Sequence, residues 1–125
     1  MSTFDKPQYA EDFGFLNHTS LPSNIDGLTE RHGKFLFIEV KRGEEISPGQ
    51  LIMLEALSRV PNFTVLVLNS RWVEADKETN SRRVVPYFYR LVVDGVLEDP
   101  VLSDDRDFKI RYHQWFATQK RDVWL

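Results

Sequence analysis

The residues in this chain best suited to chemistry are two carboxylates and an amine: Asp26, and then Glu39-Val40-Lys41. Glu39 follows Phe35-Leu36-Phe37-Ile38, an apolar run that reads as a buried strand. Side chains alternate along a strand, so Glu39 and Lys41 point to one face and Val40 to the other. A carboxylate and an ammonium in a buried strand are costly unless they are paired or bound to metal. A neighbouring strand that set Asp26 beside Glu39 would bring two like charges together, and a hard cation relieves that repulsion. Asp26 and Glu39, with the Val40 carbonyl, could hold Mg²⁺ or Mn²⁺ against a phosphate oxygen. Lys41 could orient a water or neutralise the phosphate. Such a set suits phosphodiester hydrolysis.

The flanking sequence predicts the elements that would position this group. Residues 24–30 read as a weak strand, Arg31-His32-Gly33-Lys34 as a turn and residues 35–41 as a strong strand, so the two strands should form a hairpin. Ser47-Pro48-Gly49-Gln50 combines an N-cap serine, a proline at the first helical position and a glutamine three residues after the cap. The helix it starts, Leu51 to Val60, is so apolar that cover on most sides is expected. Pro61-Asn62 ends it, and Phe63 to Leu68 is a buried-strand run. Strand, helix, strand in this order predicts a right-handed crossover with parallel strands. Beyond it, Trp72-Val73 and Val84 to Val93 are β-prone, with Glu74 to Arg83 read as a polar hairpin tip and Asp94-Gly95 as a tight turn. Ser103-Asp104-Asp105 starts a last helix, on which Phe108, Tyr112, Trp115 and Phe116 recur at helical spacing as a docking face. The expectation is one α/β domain over residues 1–125.

Composition narrows the setting. A chain of 125 residues without cysteine fits one domain with its own core and no thiolate metal site. The N-terminus lacks a secretory pattern and no apolar stretch reaches membrane-spanning length, so a cytoplasmic location and no membrane partner are expected. The net charge of −3 argues against nucleic-acid binding, yet the excess acid lies in residues 1–62, where bound cations would reverse it locally.

With the residues in this arrangement, the chain resembles the PD-(D/E)XK nuclease superfamily. Ser23-Asn24-Ile25-Asp26-Gly27 is similar to its first motif and Phe37-Ile38-Glu39-Val40-Lys41 to its second, with Ile25 where a proline is common. The resemblance implies a restriction-endonuclease-like core of helix, three-stranded meander, helix and strand over residues 11–68, with a C-terminal β-hairpin and helix as an extension over 69–125. It implies catalytic roles for Asp26, Glu39 and Lys41. Resolvase-like and phage-type branches place a further glutamine on the following helix, at the position of Gln50. An additional metal-binding acid would fall on Glu11. The activity implied is Mg²⁺- or Mn²⁺-dependent hydrolysis of DNA, with RNA an open alternative; the small size and lack of a separate recognition domain argue for shape recognition, or for dependence on a homodimer or partner protein.

Plainer readings stand beside these. An E-x-K triplet arises by chance roughly once in a chain of this size. Asp94-Gly95 followed by Asp107-Phe108-Lys109 repeats the same spacing as a decoy, without an apolar strand before it. Gln50 could serve only its helix cap, and Glu11 only the surface. Arg42, Arg82 and Arg83 could contact phosphates or simply be solvated. The competing function is a non-catalytic, protein-binding or inhibitor module on a nuclease-like scaffold, which the acidic balance favours.

Overall fold

The computed structural model describes Asp12, Phe15, residues 25–79 and residues 81–125. Glu11 lies outside the described residues, as does the rest of the chain before residue 25 apart from Asp12 and Phe15.

Strands β1 (Gly27–Arg31) and β2 (Lys34–Lys41) form an antiparallel hairpin. Its two-residue turn has both His32 (φ 53°) and Gly33 (φ 79°) in the left-handed region, the type I′ geometry whose twist matches paired strands. Helix α1 (Pro48–Ser58) then crosses to strand β3 (Phe63–Asp76), which pairs parallel to β2. The crossover unit expected from the sequence is therefore present. Strand β4 (Ser81–Val93) returns antiparallel to β3, and short strands β5 (Val96–Leu97) and β6 (Val101–Leu102) both pair with β4. Helix α2 (Asp105–Thr118) and a terminal 3-10 turn (Arg121–Trp124) complete the described chain. The result is an α/β fold with a six-stranded mixed sheet ordered β1-β2-β3-β4-β5.

Alternation along the central strands divides the core. Leu36, Leu66, Leu68, Tyr89 and Leu91 pack against Trp115 of α2 and Trp124 of the terminal turn. Phe37, Val65, Val67 and Val92 pack against Leu54, Met53 and Leu57 of α1 on the other face. The α2 stripe docks as expected through Phe108, Tyr112 and Trp115, although Phe116 remains partly exposed. No helix among the described residues is long and apolar enough to cross a membrane.

Two expectations need correction. Helix α1 is not covered on most sides: Leu54 and Ser58 are its buried residues, and Ile52 is 67% exposed. The sheet covers one side of it and nothing described covers the other. The segment 74–83 is not a loose tip, because β3 and β4 continue their pairing through Val73↔Arg83 and Glu74↔Arg82, with bulges at Asn69/Ser70 and Glu74/Asp76. The division at 68/69 falls inside β3, and Tyr89, Leu91, Trp115 and Trp124 share one core with Leu36 and Leu66. The C-terminal half is part of the same packing unit.

Candidate active site

The β1–β2 register pairs Gly27 with Ile38, and one step further along places Asp26 across from Glu39. Asp26 precedes the first residue of β1, and its Oδ2 accepts a hydrogen bond from the Val40 amide at 2.8 Å. This contact holds Asp26 against β2 where backbone pairing has ended. Glu39 and Lys41 alternate with Phe37, so both point to the α1 face. Both are buried, at 4% and 7% exposure, while Asp26 is exposed.

Gln50 joins the two buried groups. Its Oε1 accepts from Lys41 Nζ at 2.6 Å, and its Nε2 donates to Glu39 Oε2 at 3.0 Å. The same Oε1 accepts from the Ser47 amide at 3.2 Å, and Ser47 Oγ accepts from the Gln50 amide at 3.2 Å. The side-chain amide orientation follows from these partners, since reversing it would turn an NH₂ group toward an ammonium and a backbone N–H. The capping role and the site role of Gln50 are thus compatible. One oxygen has two lone pairs and uses both.

Glu39 Oε1 is left without a donor, the one carboxylate oxygen among the buried, unpartnered polar atoms described. Burial is the main cause that pushes the Glu39 carboxyl up from 4.5 to about 8; Asp26 adds to it as hydrogen-bond neighbour and like charge, and Lys41 opposes it. Two facing carboxylates offer each other no donor, which reconciles the orphaned oxygen with the influence of Asp26. Without a cation, a proton on Glu39 relieves the repulsion.

That orphaned oxygen is the observation against which a metal can be tested, and the donor set fits. Asp26 and Glu39 supply two hard carboxylates, the mode in which Mg²⁺ is usually held, with water and phosphate oxygens completing its shell. Among the described residues no three His, Cys, Asp or Glu side chains converge, and Asp26 and Glu39 are the acids these residues bring together. Val40 directly follows Glu39, and its backbone amide serves Asp26. Glu11 lies outside the described residues.

The arginines separate. Arg42 and Arg82 both approach the ring of Trp72, at 5.7 and 5.4 Å from Cζ to centroid. Arg83 instead forms a salt bridge of 3.2 Å with Asp105 at the start of α2. It therefore faces the side of the sheet away from Glu39 and Lys41. Trp72 was not singled out from the sequence; the available signal was an aromatic residue paired with Val84 one step from two arginines. The decoy has no site. Asp94 (φ 48°) and Gly95 (φ 84°) form a tight turn, and Asp107 Oδ2 is taken by Ser103 and Arg111 within α2.

Comparison with known proteins adds no identification: no family model, curated protein or solved structure matches the chain.

Proposed function

We propose that the chain is a metal-dependent nuclease of the PD-(D/E)XK type that hydrolyses DNA phosphodiester bonds. The observation that carries this reading is the donor-less oxygen on the buried Glu39 carboxyl, which neighbours Asp26, with the Lys41 ammonium held to the same carboxyl through Gln50. A purely structural acid–lysine pair would be expected to bond directly. No direct Glu39–Lys41 salt bridge occurs; the two salt bridges among the described residues involve Arg83 and Arg111.

Asp26 and Glu39, with the Val40 carbonyl, would hold Mg²⁺ or Mn²⁺, which supplies a Lewis acid for the phosphate and acidifies a bound water. Lys41 orients the attacking water and offsets charge on the phosphate, because its ammonium is a compact donor with freely directed protons. Gln50 fixes Lys41 and Glu39 relative to each other, so the geometry is prepared before substrate arrives. Strand β2 and helix α1 carry Glu39, Lys41 and Gln50 on packed elements, and Asp26, at the entry to β1, is held to β2 by the Val40 amide.

The test is incubation of the protein with linear, branched and single-stranded DNA in Mg²⁺ or Mn²⁺, alongside Glu39→Gln and Lys41→Ala. Metal-dependent cleavage lost in both variants is the expected result. Cleavage that survives Lys41→Ala rejects the assignment of Lys41. Absence of calorimetric heat with either cation would favour the non-catalytic module.

A further inference from the structure

Strand β3 runs past the candidate site and carries Trp72 beyond it. The parallel register pairs Lys41 with Asn69, and Trp72 is three residues further along the same strand, roughly 10 Å at the usual strand rise. Trp72 is 53% exposed, whereas the other two tryptophans, Trp115 and Trp124, are fully buried. Its cross-strand partner is Val84, and Arg82 is the next residue of β4 on that face. The second guanidinium comes from Arg42, which directly follows Lys41 in the chain. An exposed indole thus lies within 6 Å of two guanidiniums, at 5.4 and 5.7 Å. Neither of these arginines makes a salt bridge among the described residues, although Glu74 lies opposite Arg82 in the ladder.

An exposed indole costs apolar surface, and two cations around it leave net positive charge beside an otherwise acidic chain. Core packing does not account for it, because Trp72 is not among the residues packed into either core. The chemistry matched by this trio is a flat π-system bearing phosphate: the indole offers a stacking face and the guanidiniums offer fork-shaped donors to phosphate oxygens. In a duplex the faces of the bases are stacked on each other and unavailable. An unpaired base presents both its face and its flanking phosphates.

Resting on the nuclease reading for its biological use, we propose that Trp72, Arg42 and Arg82 form a platform for unpaired nucleotides of the DNA substrate, one base stacking on Trp72 while the two guanidiniums hold adjacent phosphates. The substrate class is then DNA with a single-stranded segment beside the scissile bond, rather than continuous duplex. Arg42, adjacent to Lys41 in sequence, ties the platform to the site.

Trp72 is its own reporter, because it is the exposed tryptophan and the other two are enclosed. Binding is measured in EDTA, where no cleavage can occur, by adding oligothymidylate and recording tryptophan emission, with anisotropy of a labelled oligothymidylate as a second readout. The expected result is quenching on binding, a loss of affinity of roughly tenfold or more in Trp72→Ala from the lost base stack, and partial retention in Trp72→Phe. Arg42→Gln and Arg82→Gln should each weaken binding and flatten its salt dependence. Unchanged anisotropy titrations in Trp72→Ala, with its thermal melt like that of the parent, overturn the proposal, as does equal Trp72-dependent binding of blunt duplex. The two readings fail separately. Trp72-dependent binding of oligothymidylate without cleavage under any metal supports the platform and removes the nuclease, whereas metal-dependent cleavage indifferent to Trp72→Ala on a single-stranded substrate removes the platform alone.

Discussion

Replacing Glu39 with glutamine should make the protein more stable at alkaline pH, although it removes a residue of the candidate site. Glu39 is 4% exposed, and its carboxyl rises from 4.5 to about 8 through burial, then through Asp26, against the opposing influence of Lys41. Because the folded-state value is raised above the unfolded one, the favourable contribution is fully present below pH 4.5 and is lost as pH climbs through about 8. The difference of about 3.5 pH units, at 1.36 kcal/mol per unit, sets a ceiling of ~5 kcal/mol on the stability lost across that window. Relaxation around the ionised carboxylate reduces that ceiling, so a few kcal/mol is the expected size. Against a total stability on the order of 5–15 kcal/mol this is a large fraction.

Urea unfolding in EDTA at intervals from pH 5 to 8.5 measures it. The parent should lose stability with a slope approaching 1.4 kcal/mol per pH unit in the middle of the range. Glu39→Gln should remove most of that slope, since a neutral amide can still accept from Gln50 and can donate toward Asp26. Mg²⁺ or Mn²⁺ should restore stability to the parent above pH 7 and leave Glu39→Gln almost unmoved, because the cation binds the ionised pair. At pH 7, below its raised folded value, Glu39 is mostly protonated, so cation uptake should release a proton. A parent whose stability is flat between pH 5 and 8.5, with no gain in Glu39→Gln at the alkaline end, would refute the raised, buried Glu39 carboxyl itself.

Two smaller perturbations separate the contributors. Asp26→Asn keeps an acceptor for the Val40 amide but removes a like charge from Glu39, so the fall in stability should end at a lower pH and be smaller in total in the same urea series. Ser47→Ala should cost about 1 kcal/mol in the urea midpoint through the lost N-cap of α1. That loss leaves the protein folded at 25 °C, so any accompanying fall in initial cleavage rate measures how far the cap positions Gln50.

Much of this was readable from local chemistry. Ser47-Pro48 and Gln50 announced the start of α1 because capping is decided within four residues, and the capping box forms as expected. Asp94-Gly95 and the α2 cap at Asp104 were legible for the same reason. The long β3–β4 ribbon was not. Beyond Ser70 it leaves the core, so Glu74, Arg82 and Arg83 can pair as strand without the apolar alternation that marks a half-buried one. The apolar run of α1 was over-read because apolar content reports the wish for cover, and which faces receive it is a tertiary matter. Side-chain direction in the site was legible as far as alternation carries: Glu39 and Lys41 share a face. That Arg82 and Arg83 divide between opposite faces follows from the same rule, but only once the segment is known to be strand.

The linkage through Gln50 has a consequence for how the site and the fold depend on each other. In a helix cap the third residue usually answers only to its own backbone, and its loss is a local matter of about 1 kcal/mol. Here the same amide accepts from Lys41 and donates to Glu39, so the start of α1 and the end of β2 are held by one side chain. Fraying of the first turn of α1 would release Lys41 and leave both Glu39 oxygens without donors, which in a buried position is far costlier than an open cap. The helix start is therefore held by the site as much as the site is held by the helix. A cation between Asp26 and Glu39 would favour the ionised acid, strengthen the Gln50 bond to it, and so tighten the first turn of α1 without touching it.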